Sequence, residues 1–341
     1  MKYIRKIALA FALFCFAFSL TGCSVTNGKR IIRISHAQSE THPEHIALLK
    51  FKDIIEEQLG DKYEVEIFPN ELLGSAQKAI ELCQTGAIDF VVAGTANLET
   101  FDNVYEIFSM PYLFTSEDAY HRLMQDTEFM ETIYTSTDAS GFEVLTWYNA
   151  GTRNFYSTKP IRTPEDLRGQ KIRVQQSPSS VAMVNAFGAA ASPMSFGEVY
   201  TAIQQGVING AENNELALTN NKHGEVAKYF SYDMHQMVPD MLIGNAKFLN
   251  SLPENEREIF QMAALESTAV ELEEWDAAVK EAKDYAANEQ GVEFIEVDVE
   301  AFQEKVKDVQ NSILDSNPKI RPIYERVQII NEEVKQQEEN Q

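Results

Sequence analysis

Cysteine is scarce in this chain. Only Cys15, Cys23 and Cys83 occur among 341 residues, and the first two fall in or beside a segment that reads as a leader. Cys83 is left alone, so no internal disulfide is available and the fold must rest on its core. A lone cysteine on the apolar side of a helix reads as a small buried hydrophobe. Positive charge is also in short supply. Against 52 Asp and Glu there are 29 Lys and Arg, a formal net charge of −23. That balance excludes nucleic acid or anionic lipid held by bulk charge. An anion must be gripped by a local basic site. Catalytic signatures are missing too: there is no G-x-S-x-G elbow, phosphate loop or dinucleotide fingerprint. The chain reads as a non-enzyme without a cofactor. His42 and His45 in "THPEHIALL", with His36 and Glu44 nearby, lack a spaced third and fourth ligand, so no metal site is assigned.

What is present begins with a leader. Lys2, Arg5 and Lys6 precede an apolar run from Ile7 to Leu20, too short for the ~20 residues of a comfortable membrane span. It ends in Leu20-Thr21-Gly22-Cys23, which resembles the lipobox of bacterial lipoproteins. Residues 1–22 are therefore expected to be a signal peptide, Cys23 the lipidated residue and 23–30 a linker. The mature protein would be extracytoplasmic, held to a membrane by acyl chains.

The remaining length suits two lobes, each with its own core. "IIRIS", "YEVEIF" and "AIDFVVAG" read as strands, separated by helices in "PEHIALLKFKDIIEEQLG" and "GSAQKAIELCQTG". This β-α-β-α-β order predicts an α/β fold with a parallel or mixed sheet flanked by helices. "YTAIQQGVINGAENN" then resembles "IELCQTGAIDFVVAG", which predicts a second α/β lobe. A stretch from Glu254 to Asn288 lacks Pro and Gly and, at about 1.5 Å per residue, is long enough to cross both lobes. The expected organisation is 31–150 plus about 239–275 for lobe 1, 151–238 plus about 276–325 for lobe 2, and a fraying polar tail over 326–341.

Against the acidic background, Gly151 to Val174 gathers Arg153, Lys159, Arg162, Arg168, Lys171 and Arg173 around only Glu165 and Asp166. "QKIRV" reads as a strand, with Arg173 near the end where α/β sheets present ligands. A guanidinium there grips a carboxylate with two parallel hydrogen bonds.

Residues 31 to about 325 resemble the solute receptors of TRAP (tripartite ATP-independent periplasmic) transporters. The resemblance rests on "ELLGSAQKAIELCQTGAIDF", "FSMPYLF", "NAGTRNFYSTKPIRTPEDLRGQKIRV", "GAAASPMSFGEVYTAIQQGVINGAENN" and "HGEVAKYF". It implies a two-lobed periplasmic-binding-protein-like fold with mixed sheets and a long helix spanning both lobes. It also implies capture of a small organic acid for TRAP membrane permease subunits. The family's carboxylate-binding Arg falls on Arg173, a second ligand Arg on Arg153 and a polar ligand residue on Asn213. Pocket positions also fall on His36, Gly94, Phe155 and Tyr156. "GSAQK" lacks the Glu-Arg pair that often follows this Leu-Gly step. On chemical grounds Asn214 suits hydroxyls, Phe196 suits an apolar wall, and His235 in "DMHQMVPD" is a candidate at the cleft, with a satisfied structural histidine as the favoured reading.

"GAENN" with "TRNFY" resembles the branch that binds uronic and aldonic acids. The expected ligand is a hexuronate, with a C4-dicarboxylate as the alternative. Presentation of the ligand to a sensor protein, or a metal-binding lipoprotein, are the readings of another class.

Overall fold

A computed structural model describes residues 25–26 and 28–340. The expected leader and Cys23 lie outside the described residues. Two six-stranded mixed sheets organise the chain. The first holds β1 (Val25–Thr26), β2 (Lys29–Ser35), β3 (Tyr63–Phe68), β4 (Phe90–Gly94), β5 (Phe142–Tyr148) and β11 (Asp240–Asn245). Its order is β1-β2-β4-β11-β5, with β3 on the other side of β2. The second holds β6 (Arg153–Ser157), β7 (Lys171–Val174), β8 (Ala190–Pro193), β9 (Gly210–Asn213), β10 (Tyr229–Gln236) and β12 (Glu293–Glu296), in the order β12-β10-β6-β9-β7-β8.

The apolar run "FVVAG" is central because both of its faces are covered. Phe90 and Val92 join one core with Phe51 and Ile55 of the helix Pro43–Leu59. Val91 and Ala93 join another with Ile80 and Cys83 of the helix Ala76–Thr85. Alternation along a strand sends successive side chains to opposite faces. Cys83 is fully buried there, and burial raises its thiol pKa above the ordinary value.

The two matching sequence stretches fold alike. Each helix ends on a left-handed glycine, Gly86 at φ +76° and Gly206 at φ +71°, a conformation that a side chain resists. Next, Asp89 and Asn209 perform the same task in the two sheets. The Asp89 N–H donates to the Arg33 carbonyl while its carboxylate accepts from the Arg33 N–H. The Asn209 N–H donates to the Lys171 carbonyl while its side chain accepts from the Lys171 N–H. This device aims β4 and β9 at the same place, the gap between the sheets.

The chain crosses between lobes where β5 runs into β6 and where β10 runs into β11. At the first crossing Gly151 adopts φ +60°, and a Cβ there would stand 2.8 Å from Trp275 Cζ2. Trp275 belongs to the helix Glu254–Asn288, which continues unbroken from one lobe to the other. Its Phe260, Ala263 and Ala264 lie in the first lobe's core and its Ala286 in the second's.

The C-terminus corrects the expected tail over 326–341. Arg321–Glu339 is a helix that returns to lobe 1. Ile323, Val327, Ile330 and Val334 enter its core beside Leu113, Phe114 and Tyr120. Asn331 fastens it, accepting from the Thr115 N–H and donating to the Leu113 carbonyl. A stripe at helical spacing is buried although the composition around it is polar.

Candidate functional site

A cleft lies between the sheets, lined from lobe 1 by His42, Glu44, Gly94 and Asp240 and from lobe 2 by Arg153, Arg173, Phe196 and Asn213. Of the six basic residues in 151–174, only Arg153 and Arg173 are buried in it; Lys159, Arg162, Arg168 and Lys171 are exposed.

Arg173 is the outlying case. It is 4 % exposed, yet no carboxylate lies within ion-pair distance among the described residues. Its Nε and Nη2 both donate to the Met194 carbonyl, at 3.1 and 3.0 Å. That contact fixes the fork without neutralising it. The guanidinium carbon stands 5.4 Å from the centre of the Phe196 ring, a favourable seat for a cation. Burial lowers its pKa, offset in part by the Glu212 charge. A desolvated cation without a counter-ion is unfavourable until an anion arrives.

Arg153 has a different occupation. Its Nε meets Glu212 Oε2 at 2.5 Å, its Nη2 donates to the Glu212 carbonyl and its Nη1 to Asn213 Oδ1. Glu212 Oε2 also lies 3.4 Å from His235 Nε2, and His235 Nδ1 lies 2.8 Å from Asp233 Oδ2. Burial opposes the His235 charge, but Asp233 and Glu212 outweigh it and hold the ring up to about 9. Burial likewise opposes ionisation of Glu212, but Arg153 and His235 bring it down to about 2. The four groups form a buried, mutually neutralised set. Of the two expected guanidinium anchors, both line the cleft, Arg173 without a counter-ion and Arg153 already neutralised by Glu212.

Four other expected contacts lie behind the wall rather than on it. Phe155 packs in the core against Phe187 and the His235 ring. Tyr156 is in the core too, its hydroxyl 2.7 Å from His223 Nδ1. His235 is fully buried in the charge network. His36 is 2 % exposed, beneath Glu44. Asn214 does line the cleft, but its amide is committed to the Ala150 carbonyl and the Leu216 N–H. Asn213 keeps its Nδ2 without a partner among the described residues.

Sequence reasoning missed the acidic members of the site: Glu44, Glu71, Asp240 and the buried Glu212. Nothing local marks them among 52 carboxylates. Glu212 was adjacent to a recognised position and differs only in being paired. Gln175 was also missed. A Cβ on Gly94 would stand 2.8 Å from Gln175 Nε2 and 3.0 Å from Asp240 Oδ1, so the bare strand tip lets polar groups of both lobes approach.

Carboxylates of lobe 1 reach across to lobe 2, Glu71 and Glu99 among them. Glu71 of lobe 1 accepts from the Phe196 and Gly197 N–H groups of lobe 2. Glu99 accepts from Ser177 Oγ at 2.8 Å and the Ser179 N–H at 3.1 Å, at the start of the helix Pro178–Ala186. Each satisfies helix-start donors that otherwise face water. The structure is thus a closed arrangement.

Two α/β lobes, double strand crossings and a buried unpaired guanidinium between them define a closing receptor for a small anion. Residues 34–317 match the family model described as bacterial extracellular solute-binding protein, family 7. The chain belongs to that family: it is a TRAP solute-binding receptor, not an enzyme, and works outside the cytoplasm with a TRAP membrane permease. Among solved structures it is similar to a TRAP periplasmic solute-binding protein from Anaerococcus prevotii with bound α/β-D-glucuronate. That match has 51% identity and TM-score 0.88, covering 89% of this chain and 99% of the other. Another is a Sulfitobacter TRAP periplasmic solute-binding protein with bound β-D-galacturonate, at 30% identity and TM-score 0.84, covering 89% and 100%. The protein YiiZ of Salmonella typhimurium, described as uncharacterized, is 38% identical over 89% of this chain and 92% of its own length.

Proposed function

We propose that this receptor binds a hexuronate such as glucuronate or galacturonate, with the ligand carboxylate on the Arg173 fork. One observation carries the reading: Arg173 is a buried, rigidly held guanidinium that lacks a counter-ion. The remainder of the cleft offers amide and carboxyl groups, from Asn213, Gln175, Glu44 and Asp240, which suit hydroxyls. Neighbours holding uronates support the same choice. Closure of the lobes expels water, which strengthens the ion pair.

Titration calorimetry against glucuronate, galacturonate, malate, succinate and glucose tests this. The expected result is uronate binding at about 1 µM or tighter, near −8 kcal/mol, weaker dicarboxylate binding and none of glucose. Tighter binding of malate or succinate than of either uronate would overturn it. We also propose that Cys23 carries the lipid anchor, supported by the basic, apolar and Leu-Thr-Gly-Cys order of the leader. Cys23→Ser is then expected to release the protein from the membrane fraction of expressing cells; retention there refutes the anchor.

A further inference from the structure

The loop that follows β3 carries an unusual stretch of backbone. Asn70 and Glu71 are not glycines, yet they stand at φ +55° and +56°, a left-handed conformation that side chains resist. The turn is pinned from behind. The Asn70 N–H donates to the Gln38 carbonyl at 2.9 Å and the Glu71 N–H to the His36 carbonyl at 3.1 Å. Residues held in this way cluster at ligand clamps and switches. The Glu71 side chain shows what the turn achieves. It lines the cleft and reaches across to lobe 2, accepting from the Phe196 N–H at 3.3 Å and the Gly197 N–H at 3.0 Å.

The segment it grasps is the seat of the Arg173 fork. Met194 supplies the carbonyl to which Nε and Nη2 both donate, and Phe196 supplies the ring beside the guanidinium. On one side the Met194 N–H is tied to the Val174 carbonyl of β7. On the other, the Ser195 N–H and hydroxyl close on Glu198. The Phe196 and Gly197 N–H groups are the next donors in line, and their acceptor comes from the opposite lobe. We propose that Glu71 is a positioning residue for anion capture: on closure its carboxylate sets the Met194–Gly197 segment, and with it the Arg173 fork, so that full grip on the ligand exists only in the closed receptor.

The contact has the geometry this role needs. Donors and acceptor belong to different lobes, so separation of the lobes must break it. Glu71 spends its charge on backbone donors and makes no ion pair with Arg173, which leaves the fork open to a ligand carboxylate. Gly197 makes the approach possible. A Cβ there would stand 2.8 Å from Glu71 Oε2. Gly197 does not take a left-handed φ, so its bare Cα serves the approach rather than the backbone. Adding a methyl group at 197 therefore dislodges the carboxylate without touching Arg173.

Such a role presupposes Arg173 as the carboxylate anchor, as in the uronate reading above, and the experiment keeps the two apart. Calorimetry and stopped-flow tryptophan fluorescence follow glucuronate on the wild type, Glu71→Ala, Gly197→Ala and the double variant. Glu71→Ala is expected to bind about 30-fold more weakly, through loss of two charge-assisted hydrogen bonds. Nearly all of that loss should lie in faster release, with association within about threefold of wild type. Gly197→Ala should cost about tenfold on the wild type and less than about twofold once Glu71 is already alanine. The ligand-free unfolding temperature should stay level in both single variants, because the open receptor lacks the contact; a side chain serving only the fold would lower it. Affinity within about twofold of wild type in Glu71→Ala overturns the proposal. So does a loss carried by association, or a double variant whose costs simply add. A wild type that takes malate but not glucuronate overturns the uronate reading, and the same cycle with malate then decides on Glu71, whose effect runs through the fork. A wild type that binds neither acid overturns both.

Discussion

Arg173→Lys is expected to weaken uronate binding about 100-fold, and Arg173→Met about 1,000-fold, because charge-assisted hydrogen bonds contribute about 1.5–3 kcal/mol each. Lysine keeps the charge but loses the planar fork that the Met194 carbonyl holds in place, and it offers single-point contact instead. Methionine removes the charge altogether. The same substitution should not harm the empty protein. Removing a desolvated cation that has no counter-ion is neutral or stabilising, so the ligand-free unfolding temperature of Arg173→Met should stay level or rise. Calorimetry and thermal unfolding on one preparation read both. Affinity within threefold of wild type for Arg173→Lys, or a collapse of the empty protein in Arg173→Met, would remove Arg173 from the anchor role.

Glu212→Gln should act in the reverse sense. It leaves Arg153 and His235 buried with Asp233 as their nearest compensation. Breaking a buried ion pair by removing one partner costs about 3–5 kcal/mol, readable by equilibrium urea unfolding. The pH dependence gives a second check. Glu212 is lowered to about 2 in the fold, so its contribution is complete above the ordinary carboxylate range and lost as the pH falls toward 2. His235 is raised to about 9, so its contribution is complete below the ordinary imidazole value and lost as the pH rises through 9. Glu212→Gln should flatten the acid limb and move the alkaline loss to lower pH. A stability change below about 1 kcal/mol would mean that the network is not mutually supporting.

These two arginines also mark how far sequence reasoning reaches. Arg173 was legible because β7 is short, its alternation is plain and its end meets the cleft. Gly86 and Gly206 announced both helix ends, and "AIDF" and "VING" the strands that follow. β6 was not legible in the same way. It lies between β9 and β10 with all five residues buried, so neither face is water-facing and alternation cannot say which side holds a ligand. The family resemblance put Phe155 and Tyr156 at pocket positions, while an aromatic in such a place is more often core; both are core. The pairing of Arg153 with Glu212 depends on register between antiparallel strands, where Phe155 opposes Glu212; spacing along the chain carries no such information. Glu44 and Asp240 come from a helix start and a strand start almost two hundred positions apart, and only the folded chain brings both to the cleft. The returning C-terminal helix shows that a buried stripe of four residues can hide inside a strongly polar segment.

The single helix from Glu254 to Asn288 sets a limit on how this receptor can yawn. Its ladder has no proline or glycine at which to fold sharply, and each backbone hydrogen bond given up would forfeit about 1 kcal/mol. Separation of the lobes must accordingly be spread as gentle curvature along a rod of roughly 50 Å. A flexed rod recoils. An opening that leaves this helix intact would be bounded by the rod's elasticity rather than by the slack of a loop.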